Sequence, residues 1–499
     1  MYKNCQNSNN FVMQNFNSQC QYIKQAFGQD TDMRCIDFEW SGKSACVMFL
    51  DGMVDKETFE DNILRRLKAD NESMEPTIER LQAVTIYTTP IEEISDLNQA
   101  VSRLASGDIL LVVDTAKTIF VYSEKKYSVR GISEPPVASV LRGPREGFVE
   151  DIKVNMTMLR RRLATEKLRM EMLNVGKYSH TKICLTYIDG VVDKKIVDGV
   201  RSKINDIDID GIVESSYIAR FLESNPSSIF SQVGNTEKPD ILTAKLLEGR
   251  VGIIVDGSPA VLTLPFLLFE SFQASEDYYV KSYRASLVRM ARLFAMLCAV
   301  LLPAFYVALQ QFQYQYLPFK FLLGIAQSSY SLPFTPPLEM LFVLLVFEVL
   351  SEASIRMPKH VGTAMSVVGA IVLGQSAVEA GILSSQTVFV MAISTIGMYC
   401  VPDQTNTASV LRIIGVAVSG VLGLLGIVLG SIALVVYLAH MGGWGSSYLS
   451  PYAPMLWHDL QDGVLKEELS DILERPYSIP TTNRIRQRKK SKSRNISTK

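Results

Sequence analysis

The chain has 499 residues, a formal net charge of −1, 20% charged and 47% hydrophobic residues, averages that would suit a soluble protein. The distribution excludes that reading: between Ala291 and His440 only ten Asp, Glu, Lys or Arg fall in 150 residues, against ninety-one in the other 349. A soluble surface stays hydrated only with many more charges, so the chain reads as a soluble part, a membrane part and a polar tail.

Residues 1–34 form a polar, Asn/Gln-rich segment without the apolar stretch of a signal peptide, so the soluble part is expected to stay cytoplasmic. The soluble part beyond residue 34 is a duplication. FLDGMVDK at 49–56 returns as YIDGVVDK at 187–194, identical at five of eight positions. The echo widens to CVMFLDGMVDKETFEDNILRRLK (46–68) against ICLTYIDGVVDKKIVDGVRSKI (183–204), and to GDILLVVD (107–114) against GRVGIIVD (249–256). Each copy reads as an apolar strand (Cys46–Leu50; Ile183–Ile188), an Asp-Gly turn, then a helix capped by Asp55 or Asp193. Phe59, Ile63 and Leu67, or Val197, Val200 and Ile204, fall on one side of that helix, and two further strands complete the copy. The predicted α/β subdomains are 35–141 and 181–280.

Asp51 and Asp189 read as turn residues, since no His or Cys accompanies them. Between the copies, 142–180 is predicted to be a linker helix. Phe148, Ile152, Met156, Leu159 and Leu163 line one face, with Arg160, Arg161 and Arg162 opposite. Arg142 and Arg145 at its start form a candidate interdomain or anion contact, the alternative being a linker helix with a solvated or subunit-facing basic side. The Gly-Lys-Ser at 42–44 lacks the first glycine of a phosphate loop. The seven cysteines (5, 20, 35, 46, 184, 298, 400) are scattered without metal-like spacing, and the four histidines do not cluster. No metal, cofactor, catalytic residue or nucleic-acid partner is expected, and the chain does not read as an enzyme.

The membrane domain is predicted over 281–440. Leu293–Phe312, Leu338–Ile355, Gly362–Leu383 and Ile413–His440 have the length and apolarity of spans. Phe319–Leu332 and Ser385–Val401 are too short and read as re-entrant pieces. Basic residues before the first span, at Arg356 and Lys359, and in the tail from Arg484 all fall on the cytoplasmic side with four spans, leaving Arg412 outside. Residues 441–499 are the tail with its basic end.

Acids within apolar helices cost roughly 3 kcal/mol each when stranded in lipid. Glu379, with Gln375 and Ser376 beside it, and Glu348 are therefore the candidate ion path, while Glu352 and Arg356 read as a helix-surface pair. Gly369 and Gly374 in the third span, and Gly426 and Gly430 in the last, are candidates for close helix packing.

The runs RGPREGFVED (142–151), FESFQASEDYY (269–279), FEVLSEASIRMP (347–358) and VGAIVLGQSAVEAGILS (368–384) resemble the A subunit of GerA-type spore germination receptors. The fold class expected is thus a multi-domain α/β plus α-helical membrane protein. Two tandem duplicated α/β subdomains precede a polytopic transmembrane domain. The resemblance implies a place in the spore inner membrane beside a permease-like B subunit and a lipoprotein C subunit, with the soluble domain facing the spore core. It implies a homo-oligomer, a pentamer, acting as a ligand-gated channel for monovalent cations. A paralogue type that amplifies germination with the dipicolinate-release machinery shares the same motifs.

Overall fold

The computed structural model describes residues 16–28, 30, 32–70, 75–85, 91–114, 116, 118–125, 142–329, 332–356, 369 and 372–487. They group into two units: 1–226 with 233–265 and 473–499, and 227–232 with 266–472.

The α/β unit holds two five-stranded antiparallel sheets of identical order. In the first, β1 (Met33–Trp40), β2 (Lys43–Leu50), β4 (Ile109–Val113), β5 (Ile119–Tyr122) and β3 (Glu92–Ile94) lie side by side. In the second the order is β6 (Leu168–Val175), β7 (Thr181–Ile188), β9 (Val251–Val255), β10 (Val261–Leu264) and β8 (Gly234–Thr236). Alternation along β2 shows why the sheet is covered on both sides. Cys46, Met48 and Leu50 pack under α1 (Phe16–Phe27) and a later helix, Leu97–Ala105, whereas Ala45, Val47 and Phe49 pack under Phe59, Ile63, Leu67 and Leu81.

Two expectations change here. α1 lies inside the segment read as a polar N-terminal stretch, yet Cys20, Ile23 and Phe27 recur at helical spacing and are buried in the first core. The segment read as a linker helix contributes α2 (Ile152–Arg162) and then β6, which pairs with β7 over eight residues from Leu168↔Ile188 to Val175↔Thr181. Each repeat therefore begins with its own helix and edge strand.

In the helical unit, α3 (Ser282–Gln311), α4 (Phe319–Ser329), α5 (Pro336–Arg356), α6 (Ser385–Tyr399) and α7 (Thr405–His440) come in that order. Tyr306, Val307, Met340, Val343, Leu344, Leu383, Met391 and Val416 form its core. Two helices among the described residues are long and apolar enough to cross a membrane, Ser282–Gln311 and Pro402–His440. α5 is long enough but carries Glu339, Glu348 and Glu352. Of the predicted third span, Gly362–Leu383, residues 362–368, 370 and 371 lie outside the described residues, and Val372–Glu379 is a π turn running into a short helical turn. α7 breaks at Gly423, whose φ of 60° is a left-handed conformation natural only to glycine. Phe312 and Gln313 pack against that break, and the Leu424 amide donates to Gln313 Oε1 at 3.4 Å.

Candidate functional site

Several charged side chains of the helical unit find partners within the chain. Arg412, 1% exposed on α7, donates from Nη2 to Glu348 Oε2 at 3.1 Å, and Ser409 Oγ donates to the same oxygen at 2.6 Å. Sequence alone puts Glu348 on an aqueous path and Arg412 outside; the structure pairs them, because α5 and α7 pack together. A buried guanidinium without this carboxylate would be an uncompensated charge. Glu352 and Arg356 make the expected helix-surface pair, Nε to Oε1 at 2.5 Å.

Nothing in the sequence sets Glu339 apart from the two other acids of its helix. It is 1% exposed, and its Oε1 accepts from the Ser384 amide at 2.6 Å and the Ser384 hydroxyl at 2.9 Å. Ser384 is the N-cap of α6, so the carboxylate sits at the positive end of a fifteen-residue helix. That explains an acid buried without a basic partner among the described residues.

Glu379 stands apart. It is exposed, in the short helical turn Ala377–Glu379 after a π turn at Val372–Ser376, and accepts from Gln375 Nε2 at 3.0 Å. Gln375 and Ser376 are exposed beside it. Among the described residues no cation pairs with Glu379.

The glycines divide in a way that spacing does not predict. Gly369 packs on Leu350, where an added Cβ would lie 3.2 Å away, but Gly374 and Gly430 face open space. Gly426 is crowded by Val418 and Leu422 of its own helix beside the Gly423 break. Gly426 and Gly430 line an apolar cavity of about 380 Å³ with Val300, Ala304 and Tyr437. Close approaches to a neighbouring helix are made elsewhere, by Gly397 on the Ala295 carbonyl and Gly420 on Pro337.

A second charged node precedes α3. Asp277 accepts from Arg289 Nε at 3.1 Å and Arg292 Nη1 at 2.8 Å, while Arg289 Nη1 also reaches Asp462 at 2.9 Å. Burial by itself raises the Asp277 carboxyl; hydrogen bonds from Arg292, the Ala274 amide and Arg289 outweigh it and hold the group below the ordinary carboxylate range.

In the α/β unit two of the amides at the start of α2 are taken by carboxylates of the chain itself. Asp151 accepts from the Lys153 amide at 2.8 Å and Asp256 from the Ile152 amide at 3.3 Å. Arg142 and Arg145 are exposed. The arginine that organises this region is Arg160, expected from sequence on a solvated or subunit-facing basic side but 1% exposed. Its Nε and Nη2 donate to Asp32 at 2.8 and 3.0 Å, and Nη2 also donates to Asp30 at 3.1 Å. Asp30 accepts from the Met170 amide at 3.0 Å too, so one buried cluster ties the lead-in to β1 to the first helix and strand of the second repeat. Burial pushes Asp30 up to about 6 against the pull of Arg160.

Among the described residues, no group of three or more His, Cys, Asp or Glu is arranged to hold a metal ion. The geometry defines a class: a duplicated α/β unit joined in one chain to a helical unit with two helices apt to cross a membrane. Residues 21–478 match the family described as "Bacillus/Clostridium GerA spore germination protein", and the chain belongs to that family. It is 34% identical to "Spore germination protein KA" of Bacillus subtilis over 89% of this chain and 82% of that protein. It is 30% identical to "Spore germination protein GerLA" of Bacillus cereus, over 92% and 94%. Among solved structures, the N-terminal domain of the A subunit of the Bacillus megaterium spore germinant receptor GerK3 matches at 30% identity. It covers 50% of this chain and 94% of that one, with a TM-score of 0.40.

Proposed function

We propose that this chain is the A-type membrane subunit of a spore germination receptor, not an enzyme, and that several copies surround a path for monovalent cations. The observation that supports it best is a family match running across both units, from residue 21 to residue 478. Four spans and two short re-entrant helices remain the proposed topology, with the α/β unit on the cytoplasmic, spore-core side of the inner membrane. A permease-like B subunit and a lipoprotein C subunit are the proposed partners.

Within that reading the ion path runs past Glu379, Gln375 and Ser376. In a ring of protomers an unpaired acid becomes a ring of acids, a recognised basis for cation selectivity. Glu348 is bound to Arg412 and flanks the path rather than lining it. Gly374 and Gly430, open in the single chain, are proposed as contacts between protomers.

The test is monovalent cation flux in lipid vesicles holding the chain with its partner subunits. Flux that arises with the full set and weakens with Glu379→Gln fits the proposal; no flux under any combination overturns it. One specific observation favours a second reading, a non-conducting scaffold: Glu339 and Glu348 are both satisfied internally. A cysteine at 379, in a background lacking Cys298 and Cys400, separates the two. Reaction with a water-soluble thiol reagent fits the path, and complete protection fits the scaffold.

A further inference from the structure

An apolar stripe on the base of α3 stays exposed. Tyr283, Leu287, Met290, Phe294 and Leu297 are exposed by 74, 69, 51, 69 and 51%. Their spacing alternates between four and three, a 3.5-residue period that keeps all five on one line along the helix. In hydrocarbon such a face needs no protein partner, but this one starts ten residues before the span predicted at Leu293. Away from the stripe, the same turns of α3 make ionic contacts: Arg289 and Arg292 bind Asp277, and Arg289 also binds Asp462. Charges of that kind sit at the depth of water and headgroups. Large apolar side chains facing outward at that depth mark a surface that another protein covers.

The two edges of the stripe carry opposite charge. Arg284, one residue past Tyr283, is exposed on one edge, and Ser286, one residue before Leu287, lies on the other. Ser282 and Ser286 hold a loop there. The Lys466 amide donates to Ser286 Oγ at 2.9 Å, and Ser282 Oγ donates to the Glu467 carbonyl at 3.1 Å. Glu467 and Glu468 of that loop are exposed.

Resting on the reading that several copies assemble, we propose that this stripe is the seam on which a second copy docks through its own α3. Copies in one membrane share an orientation, so their α3 helices run parallel. In a parallel pair with a 3.5-residue seam, one edge of each helix faces the opposite edge of its neighbour. Arg284 of one copy therefore meets the loop of Glu467 and Glu468 of the other, with the apolar side chains packed between. The surface is complementary to itself, which is what docking of like on like requires. An anionic lipid surface would attract Arg284 but repel the two acids beside it, so the charges favour a second copy over lipid.

The experiment uses the full chain in its own membranes, with photoreactive benzoylphenylalanine replacing Leu287 or, separately, Met290. After irradiation the products are sized on a denaturing gel and mapped by mass spectrometry. The expected product is two linked chains, joined within residues 281–298 or 464–469 of the second copy. Linkage only to lipid, to a different protein, or to another stretch of the second copy overturns the proposal. Charge reversal tests the edges: Arg284→Glu should lower the yield of linked chains about tenfold, and adding Glu467→Arg with Glu468→Arg should restore it. An unchanged yield in Arg284→Glu overturns docking by charged edges. Chromatography in detergent separates the seam from the assembly itself. An oligomer without linkage at α3 sinks the seam and leaves the assembly standing, whereas a single chain without linkage sinks both.

Discussion

The two repeats share a sheet order and an Asp-Gly turn, yet the surroundings of that turn differ. In the first copy Val54, just past the turn, bridges Lys125, which lies shortly after β5. In the second, the equivalent Val192 bridges Thr481, and the Thr482 amide donates to the Val191 carbonyl at 3.0 Å. After β10 the chain departs into the helical unit, so the returning tail supplies the backbone partner that the first copy finds locally. Buried backbone groups need partners, and duplication preserves the need while leaving the supplier open. The joint is equally one-sided. The Asp32 carbonyl accepts from the Asp51 amide as the Lys167 carbonyl does from that of Asp189, but only Asp32 carries the acid that binds Arg160.

Thermal unfolding of the full chain should rank variants that remove this asymmetry. Arg160→Met should be the most damaging, at about 3–5 kcal/mol, because Asp32 then stays buried without its cation and Asp30 keeps only Arg169, at 3.7 Å. Lys167→Met, at the place in the second copy that matches Asp32, should stay within about 0.5 kcal/mol; equal losses from the two would end the distinction. Arg475→Ala comes next, at roughly 2 kcal/mol. The Arg475 guanidinium donates to the carbonyls of Leu247 at 2.6 Å, Asn483 at 3.1 Å and Ile485 at 2.6 Å, holding the tail on the second repeat. Hydrogen exchange should loosen around Val192 and leave Val54 unchanged.

Smaller effects resolve finer differences between the copies. Gly52 and Gly190 have φ of 88° and 79°, so alanine strains both by about 1 kcal/mol. Only at Gly52 would the new Cβ meet Thr157 of α2, so Gly52→Ala should cost more than Gly190→Ala, and equal costs would rule that contact out as a source of strain. The pH effect is the gentlest. Asp30 is raised from 3.8 to about 6 in the folded chain, so it adds stability that is complete below about pH 4 and fades as pH climbs through 6. Asp30→Asn should flatten that part of the stability–pH curve; a slope unchanged in the variant assigns it to another group.

Legibility tracks the range of the interaction. The strands at 46–50, 183–188, 109–113 and 251–255, and the helices after Asp55 and Asp193, are readable because alternation and four-residue spacing are local. β6 is not: LRMEMLNV is rich in helix-forming residues, and eight residues of register with β7 decide otherwise. α1 hides within an Asn/Gln-rich start, its three apolar residues revealed as a face only by the sheet beneath. Among the candidate site residues, Glu379, Gln375 and Ser376 are exposed, while Glu348 is paired with Arg412, 64 residues away. Gly374 and Gly430 show why small residues at helical spacing mark potential contacts only; the neighbours choose which are used.

Amino-acid order alone is enough to establish the duplication, the run of strands and helices, the division between charged and apolar parts, and the family. Partners emerge only on folding: Arg160 with Asp32, 128 residues apart, Arg412 with Glu348, and the tail with the second repeat. The reason is physical. Periodicity is set by neighbours along the backbone, whereas a charge finds its partner only when two distant faces pack and water is excluded between them.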